Sequence, residues 1–299
     1  MKSFYKQILL FIFIVWSITI IYTLLVFLNL PNIKYNAFFG DNTQSRKLII
    51  AGASNAEYNY DYKKIQEEFK NYNVLGSTIN EPSGLMVNLY KIKQLELDSD
   101  DVVILCLPHS SYSKEKFLPI SSRNKFISKE VVKSSFSFSP KMTLISFLRV
   151  NILNIRHALY TSDISDIRRY TESKIYNALH EQPLYSDNLY SECYHNPENK
   201  FYINDITAEF DEEHLNFLKT RIPEFLGAKV YYRFPVLPKG EFLLNNTKVS
   251  WLESNLKFIN NVNSSLVDVN LFYNQWYHLN ECGAEANTEA VINELCFLK

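Results

Sequence analysis

The sequence predicts an α/β protein: a doubly wound, five-stranded parallel sheet, preceded by a transmembrane helix and interrupted by a helical, irregular insertion. Three observations carry that reading. Five short apolar runs of buried-strand length recur along the chain, most of them stopping at small residues or a proline. Stretches with helical spacing lie between the runs, which is the alternation of a parallel sheet. An uncharged apolar segment opens the chain.

That segment, residues 8–30, is mostly Ile, Leu, Phe and Val. As a helix it spans roughly 35 Å, enough for a hydrocarbon core of about 30 Å, and Pro31 ends it. A cleavable signal would have a shorter apolar core and an A-x-A-like exit, and neither is present. Residues 1–31 are therefore read as an uncleaved single-pass anchor. Lys2 and Lys6 precede it, which predicts a cytoplasmic amino terminus and an extracytoplasmic body, although Lys34, Arg46 and Lys47 follow closely. Residues 32–45 read as a polar linker and 46–299 as the folded domain.

The first strand is Lys47-Leu48-Ile49-Ile50-Ala51-Gly52, which runs into Ala53-Ser54-Asn55 and then a helical pattern over residues 62–70. Residues 72–76 make a second strand ending at Gly76. Residues 83–97 follow as a helix, with Leu85, Met86, Leu89, Ile92 and Leu95 at helical spacing. Residues 101–108 form a third strand, stopped by Pro108. Residues 109–206 break the regularity and read as an insertion with one helix at 142–159. A helix at 211–222, a strand at 229–235, a helix at 249–260 and a strand at 266–269 resume the alternation. A loop at 272–283 and a helix at 284–298 close the chain.

Composition excludes several classes. With 31 basic and 32 acidic residues and no basic run, the chain is not read as a nucleic-acid binder. Cys106, Cys193, Cys282 and Cys296 show no CxxC pair and no metal spacing with the six histidines, so no metal or cofactor is expected. Cys106 reads as a core residue, and a Cys282–Cys296 disulfide is conceivable but disfavoured across a helical pattern. Sequons at Asn245 and Asn263 matter only in a eukaryotic secretory setting.

A site emerges at the two ends of the domain. Open α/β sheets bind ligands at the carboxyl ends of their strands, where Ser54 falls. A serine there is a nucleophile if a base lies within reach, and otherwise a helix cap. The loop after the fifth strand, Phe272-Tyr273-Asn274-Gln275-Trp276-Tyr277-His278-Leu279-Asn280, reaches the same edge, and His278 is the natural base. His109, His157, His180, His195 and His214 are scattered and are given no role; of these only His109 stands at a strand end, where a side chain can face the cleft.

Together these blocks resemble the SGNH (GDSL-like) hydrolase family. Gly52-Ala53-Ser54-Asn55 matches the nucleophile turn, Gly76 the oxyanion glycine, and His278-Leu279-Asn280 with Gly283-Ala284 the final block. The resemblance implies a flavodoxin-like three-layer sandwich, with Ser54 as nucleophile, His278 as base, and the amides of Ser54 and Gly76 as oxyanion donors. Where this branch carries Asp, the chain has Asn274, and the alternative DxxH spacing gives Gln275. An amide can orient an imidazole but cannot offset its charge, and such a change costs about 10⁴ in kcat in a serine protease. Pro108-His109-Ser110-Ser111 stands where the family often has Gly-x-Asn-Asp, and one lost oxyanion donor costs roughly 3 kcal/mol.

The anchor makes the chain similar to the membrane-bound branch of that family, which acts beside membrane-bound O-acyltransferases in polysaccharide O-acetylation or teichoic acid D-alanylation. Two expectations follow from the resemblance. One is an acyl-esterase or O-acyltransferase that takes a group from an acyl donor to a polysaccharide or other polyol. The other is an anchored, catalytically weak or inactive assembly protein on the same scaffold, partnering an integral membrane O-acyltransferase. The binding residues for substrate are not legible.

Overall fold

The computed structural model describes residues 2–28, 46–52, 54–78, 85–107, 132–133, 135–136, 140, 143–144, 215–239, 246–275 and 278–299. The expected linker at 32–45, almost all of the 109–206 insertion with its helix at 142–159, and His109 lie outside them. The chain divides into two compact units, one of residues 1–34, 82–87 and 118–181, the other of residues 35–81, 88–117 and 182–299.

In the first unit, α1 (Lys2–Leu28) is the one helix among the described residues long and apolar enough to cross a membrane. Phe11, Phe13, Trp16 and Leu24 are all more than half exposed. An apolar helix with most of its large side chains exposed has the character of a membrane span, although Thr19 is buried. Thr19 returns its hydroxyl to the Val15 carbonyl at 2.9 Å, the local bond that lets a polar side chain ride in such a helix.

The second unit is a mixed α/β body on a four-stranded parallel sheet, in the order β2-β1-β3-β4. The strands are β1 (Lys47–Gly52), β2 (Asn73–Thr78), β3 (Val102–Cys106) and β4 (Lys229–Tyr232). The register aligns Leu48 with Val74 and Val102, and Gly52 with Thr78 and Cys106. Strand alternation therefore divides the apolar residues between two faces. Leu48, Ile50, Val74, Val102, Ile104 and Cys106 share a core with α3 (Tyr62–Glu68) and α7 (Glu281–Glu294), through Tyr62 and Ile65 and through Val291 and Ile292. Ile49, Leu75, Val103 and Leu105 face the other way and are just as buried. On that side Tyr232 donates its hydroxyl to the Leu218 carbonyl at 2.6 Å.

Local chemistry explains the elements. Asp61 caps α3 through the Lys64 amide. The helix around Leu218 opens a π turn at Phe217–Arg221 before α5 (Ile222–Leu226), because Pro223 gives no N–H and crowds the carbonyl four residues back. Gly227 stops α5 at φ 74°, donating to the Pro223 carbonyl. α4 (Leu85–Lys93) joins β2 to β3. At the amino end of the sheet, buried Asp101 accepts from the amides of Lys47 and Asp98, and its own carbonyl takes the Lys229 amide.

The fifth strand differs from the sequence expectation. Leu266–Val267 forms only a two-residue β6, paired in parallel with β5 (Leu237–Pro238) in a separate ladder. The edge of β4 is met earlier, where Tyr232 bridges Phe258. That bridge also ends the preceding helix early: α6 is Asn246–Asn255, and residues 257–259 straighten to exchange bonds with Tyr232.

One ion pair is buried beneath α7. Arg233, following β4, meets both Glu294 oxygens, at 2.6 and 3.2 Å, and donates at 3.0 Å to the Tyr60 hydroxyl. That hydroxyl lies 3.2 Å from the Cys106 sulfur. Burial pushes the Cys106 thiol up to about 11, so it stays protonated and unreactive. Removing one partner leaves a buried charge alone, so Glu294→Gln is expected to destabilise the body by about 3 kcal/mol. The same loss at the exposed Lys299–Glu68 pair is expected to matter far less, and urea unfolding of the two variants distinguishes them.

Candidate functional site

Ser54 opens α2 (Ser54–Tyr58) immediately beyond the carboxyl end of β1. Ala53, and the side chains of Ser54, Asn274 and Gln275, lie outside the description. Gly52 ends the strand for a steric reason. A Cβ there would stand 2.5 Å from the Cys106 carbonyl oxygen and 3.1 Å from Asn55 Oδ1. Only glycine lets β3 approach this closely while Asn55 Nδ2 donates to the same carbonyl at 3.2 Å.

The closing loop is a hairpin rather than a loop. β7 (Phe272–Gln275) pairs antiparallel with β8 (His278–Leu279), with Phe272 opposite Leu279 and Gln275 opposite His278. The register skips Tyr273 and Asn274, as a bulge does. Of the two amide residues considered as partners for His278, Gln275 is thus the one opposite it across the hairpin. Asn274 falls in the irregularity.

His278 is brought to the serine's helix. Its ring lies against Tyr58, with centroids 4.9 Å apart and planes tilted by 58°. Tyr58 is four residues after Ser54, about one turn along α2. β8 packs on α2 as a whole. Burial lowers the His278 pKa from 6.5 to about 4. At neutral pH the imidazole is therefore uncharged, and one ring nitrogen is free of a proton, as a base requires.

Gly76 sits elsewhere than expected. It lies inside β2 opposite Ile50, because Ser77 and Thr78 continue the ladder to Ala51 and Gly52. That is two residues, or roughly 7 Å, short of the sheet's carboxyl edge. Asn73 donates to Arg46 O and Val74 to Gln66 Oε1, so alternate β2 amides face β1 and the outer edge. Gly76 falls in the outward set. The Pro108-His109-Ser110-Ser111 block lies outside the described residues.

Five residues hold this edge together in ways the sequence did not suggest. Asn55 ties α2 to β3. Asn59 Oδ1 accepts the Leu279 amide at 3.0 Å, and Asn287 Nδ2 donates to the Asn59 carbonyl at 2.7 Å. Tyr58 is the ring against His278. Asn280 caps α7 through the Gly283 amide, so that helix begins three residues before the apolar pattern suggests. Cys282, in its first turn, is disulfide-bonded, while Cys106 and Cys296 are free, so the Cys282–Cys296 pairing does not form. Among the described residues no cluster of His, Cys, Asp and Glu can hold a metal ion.

Compared with protein-family models, curated proteins and solved structures, the chain matches none.

The depressed His278 pKa has a consequence for stability. The unfolded chain takes up a proton near pH 6.5 and the folded one only near pH 4. Stability present above pH 6.5 is therefore lost as pH falls toward 4. A His278→Gln variant is expected to lose less over that window, as read from thermal unfolding at intervals between pH 7 and pH 4.

Proposed function

We propose that the chain is a membrane-anchored SGNH-type acyl-esterase or O-acyltransferase that modifies a cell-surface polysaccharide or similar polyol. The observation that carries this reading is the contact between the His278 ring and Tyr58, on the helix that Ser54 begins. It joins the two ends of the sequence resemblance at the carboxyl edge of a parallel sheet. The completed five-stranded, doubly wound SGNH sandwich belongs to the same proposal.

In this mechanism the Ser54 hydroxyl attacks the donor's acyl carbon while neutral His278 takes its proton. The Ser54 amide, with a second donor, holds the oxyanion. The resemblance assigns that second place to Gly76, which lies inside β2 opposite Ile50. His278 passes the proton to the leaving group. An acceptor hydroxyl, or water, then gives its proton to His278 and attacks the acyl-serine, restoring the enzyme. Gln275, opposite His278, joins Asn274 as a candidate orienting residue. Neither carries the charge that would favour the imidazolium.

A second reading is favoured by Gly76 and by the two amides: an anchored assembly protein that contacts an integral membrane O-acyltransferase without turnover. The two readings separate at Ser54. The enzyme is expected to label with a fluorophosphonate at Ser54, and Ser54→Ala and His278→Ala are each expected to abolish acyl transfer at normal protein levels. Asn274→Asp is expected not to lower it. Because His278 stays neutral, kcat/KM is expected to hold level from pH 8 to below 6 and to fall only toward about 4. A Ser54→Ala strain that keeps surface modification would overturn the enzyme and leave the assembly protein.

The anchor reading adds a single pass with the amino terminus inside and the body outside. The exposed Cys296 thiol reports it. A membrane-impermeant maleimide applied to intact cells is expected to label Cys296 of the full chain, and labelling only after lysis would reverse the orientation.

A further inference from the structure

One buried residue beside the candidate site is not used by the mechanism. Asn59 follows α2 directly and is 1% exposed. A backbone N–H can only donate, so the atom facing the Leu279 amide at 3.0 Å is the Asn59 carbonyl oxygen, and the orientation of its amide follows. Leu279 is one peptide unit from His278. The main chain of Asn59 is held from two further sides: its N–H donates to the Asn55 carbonyl at 3.2 Å, and its carbonyl accepts from Asn287 Nδ2 at 2.7 Å. Asn55 in turn is bonded to the last residue of β3, and the Asp61 amide donates to Thr288 Oγ1 at 2.9 Å, on the same helix as Asn287.

We infer that Asn59 is a positioning residue: it sets the separation between the helix that begins at Ser54 and the strand that carries His278, using a chain of side-chain amides from β3 to α7. This inference rests on the acyl-transfer reading for its kinetic consequence, but the geometry it asserts is independent of turnover. β8 is two residues long, with a bulge in its partner. Strand pairing alone fixes such a piece poorly, and the Asn59 bond supplies the missing constraint from the serine's side.

The logic of the site requires such a device. His278 and Ser54 belong to opposite ends of the domain, and a displacement of about 1 Å between a nucleophile and its base costs on the order of 100-fold in rate. Removing the Asn59 carboxamide leaves the buried Leu279 amide without its acceptor and lets β8 drift from α2.

The test uses the full chain in detergent and five variants. In Asn59→Ala, kcat for an acyl ester is expected to fall roughly 10- to 100-fold with KM nearly unchanged. In the same variant the His278 resonance, assigned by its loss in His278→Gln, is expected to titrate above its wild-type value of about 4 as the ring loosens from Tyr58. Asn59→Ser, which keeps a small polar side chain, covers the case in which the alanine variant does not fold and is expected to show the same split. Asn59→Asp retains an acceptor for the Leu279 amide and is expected to restore most of the rate. Gln66→Ala is the control: Gln66 clamps α3 to β2 by bonds to Tyr72 O at 2.7 Å and Val74 N at 2.9 Å, away from the site. It is expected to lower Tm and to leave kcat and the His278 titration as they are. The inference is overturned if Asn59→Ala lowers Tm as Gln66→Ala does, with kcat and the His278 titration unmoved. If the wild type transfers no acyl group, the functional reading falls, and the His278 titration still decides for or against Asn59.

Discussion

A peptide amide at the rim of a short hairpin needs an acceptor, and the sheet does not provide one. β8 has β7 on one side only, and the outward Leu279 N–H is buried. Asn59 meets it, and in doing so joins the beginning of the domain to its end. Around that bond stand Asn55, Asn280 and Asn287, each using a short side-chain amide where a strand or helix end would otherwise leave a polar group unpaired. The carboxyl edge of this sheet is thus held by side chains as much as by backbone ladders, and the candidate site sits on it.

The same edge has an electrostatic character of its own. His278 is packed and neutral, and Asn274 and Gln275, in the strand paired with it, are uncharged amides. The strong charges are withheld: Arg233 and Glu294 neutralise one another beneath α7, and Cys106 stays a thiol behind Tyr60. A neutral imidazole against the last residue of α2 suits a base that works over a wide pH range. It also suits a site in which the developing imidazolium has little to stabilise it. Which side of that balance prevails decides between a working enzyme and a retained scaffold.

Much of the sheet was legible. β1, β2, β3 and β4 lie where apolar runs bounded by Gly, Pro or Asp suggested, because strands buried on both faces must be apolar throughout. Element ends were less so. Residues 257–259 read as helix and were pulled straight by β4, and α7 starts early at a cap, Asn280, that the apolar spacing cannot register. The hairpin was missed because the sequence between its strands, Trp276-Tyr277, carries none of the Gly or Asn that signal tight turns. Ser54 and His278 were visible as residue types in context. Asn59 was not: in a chain rich in asparagine, one more beside a tyrosine looks like surface, and its partner lies at the far end of the sequence. Arg233 and Glu294 were hidden for the same reason.

The separation between Ser54 Oγ and the nearer His278 ring nitrogen, measured in crystals of the full chain, tests the central claim most directly. The expected value is roughly 2.6–3.2 Å, or a little longer with the site empty. The two groups on opposite sides of α2, beyond reach even through one bridging water, would contradict it.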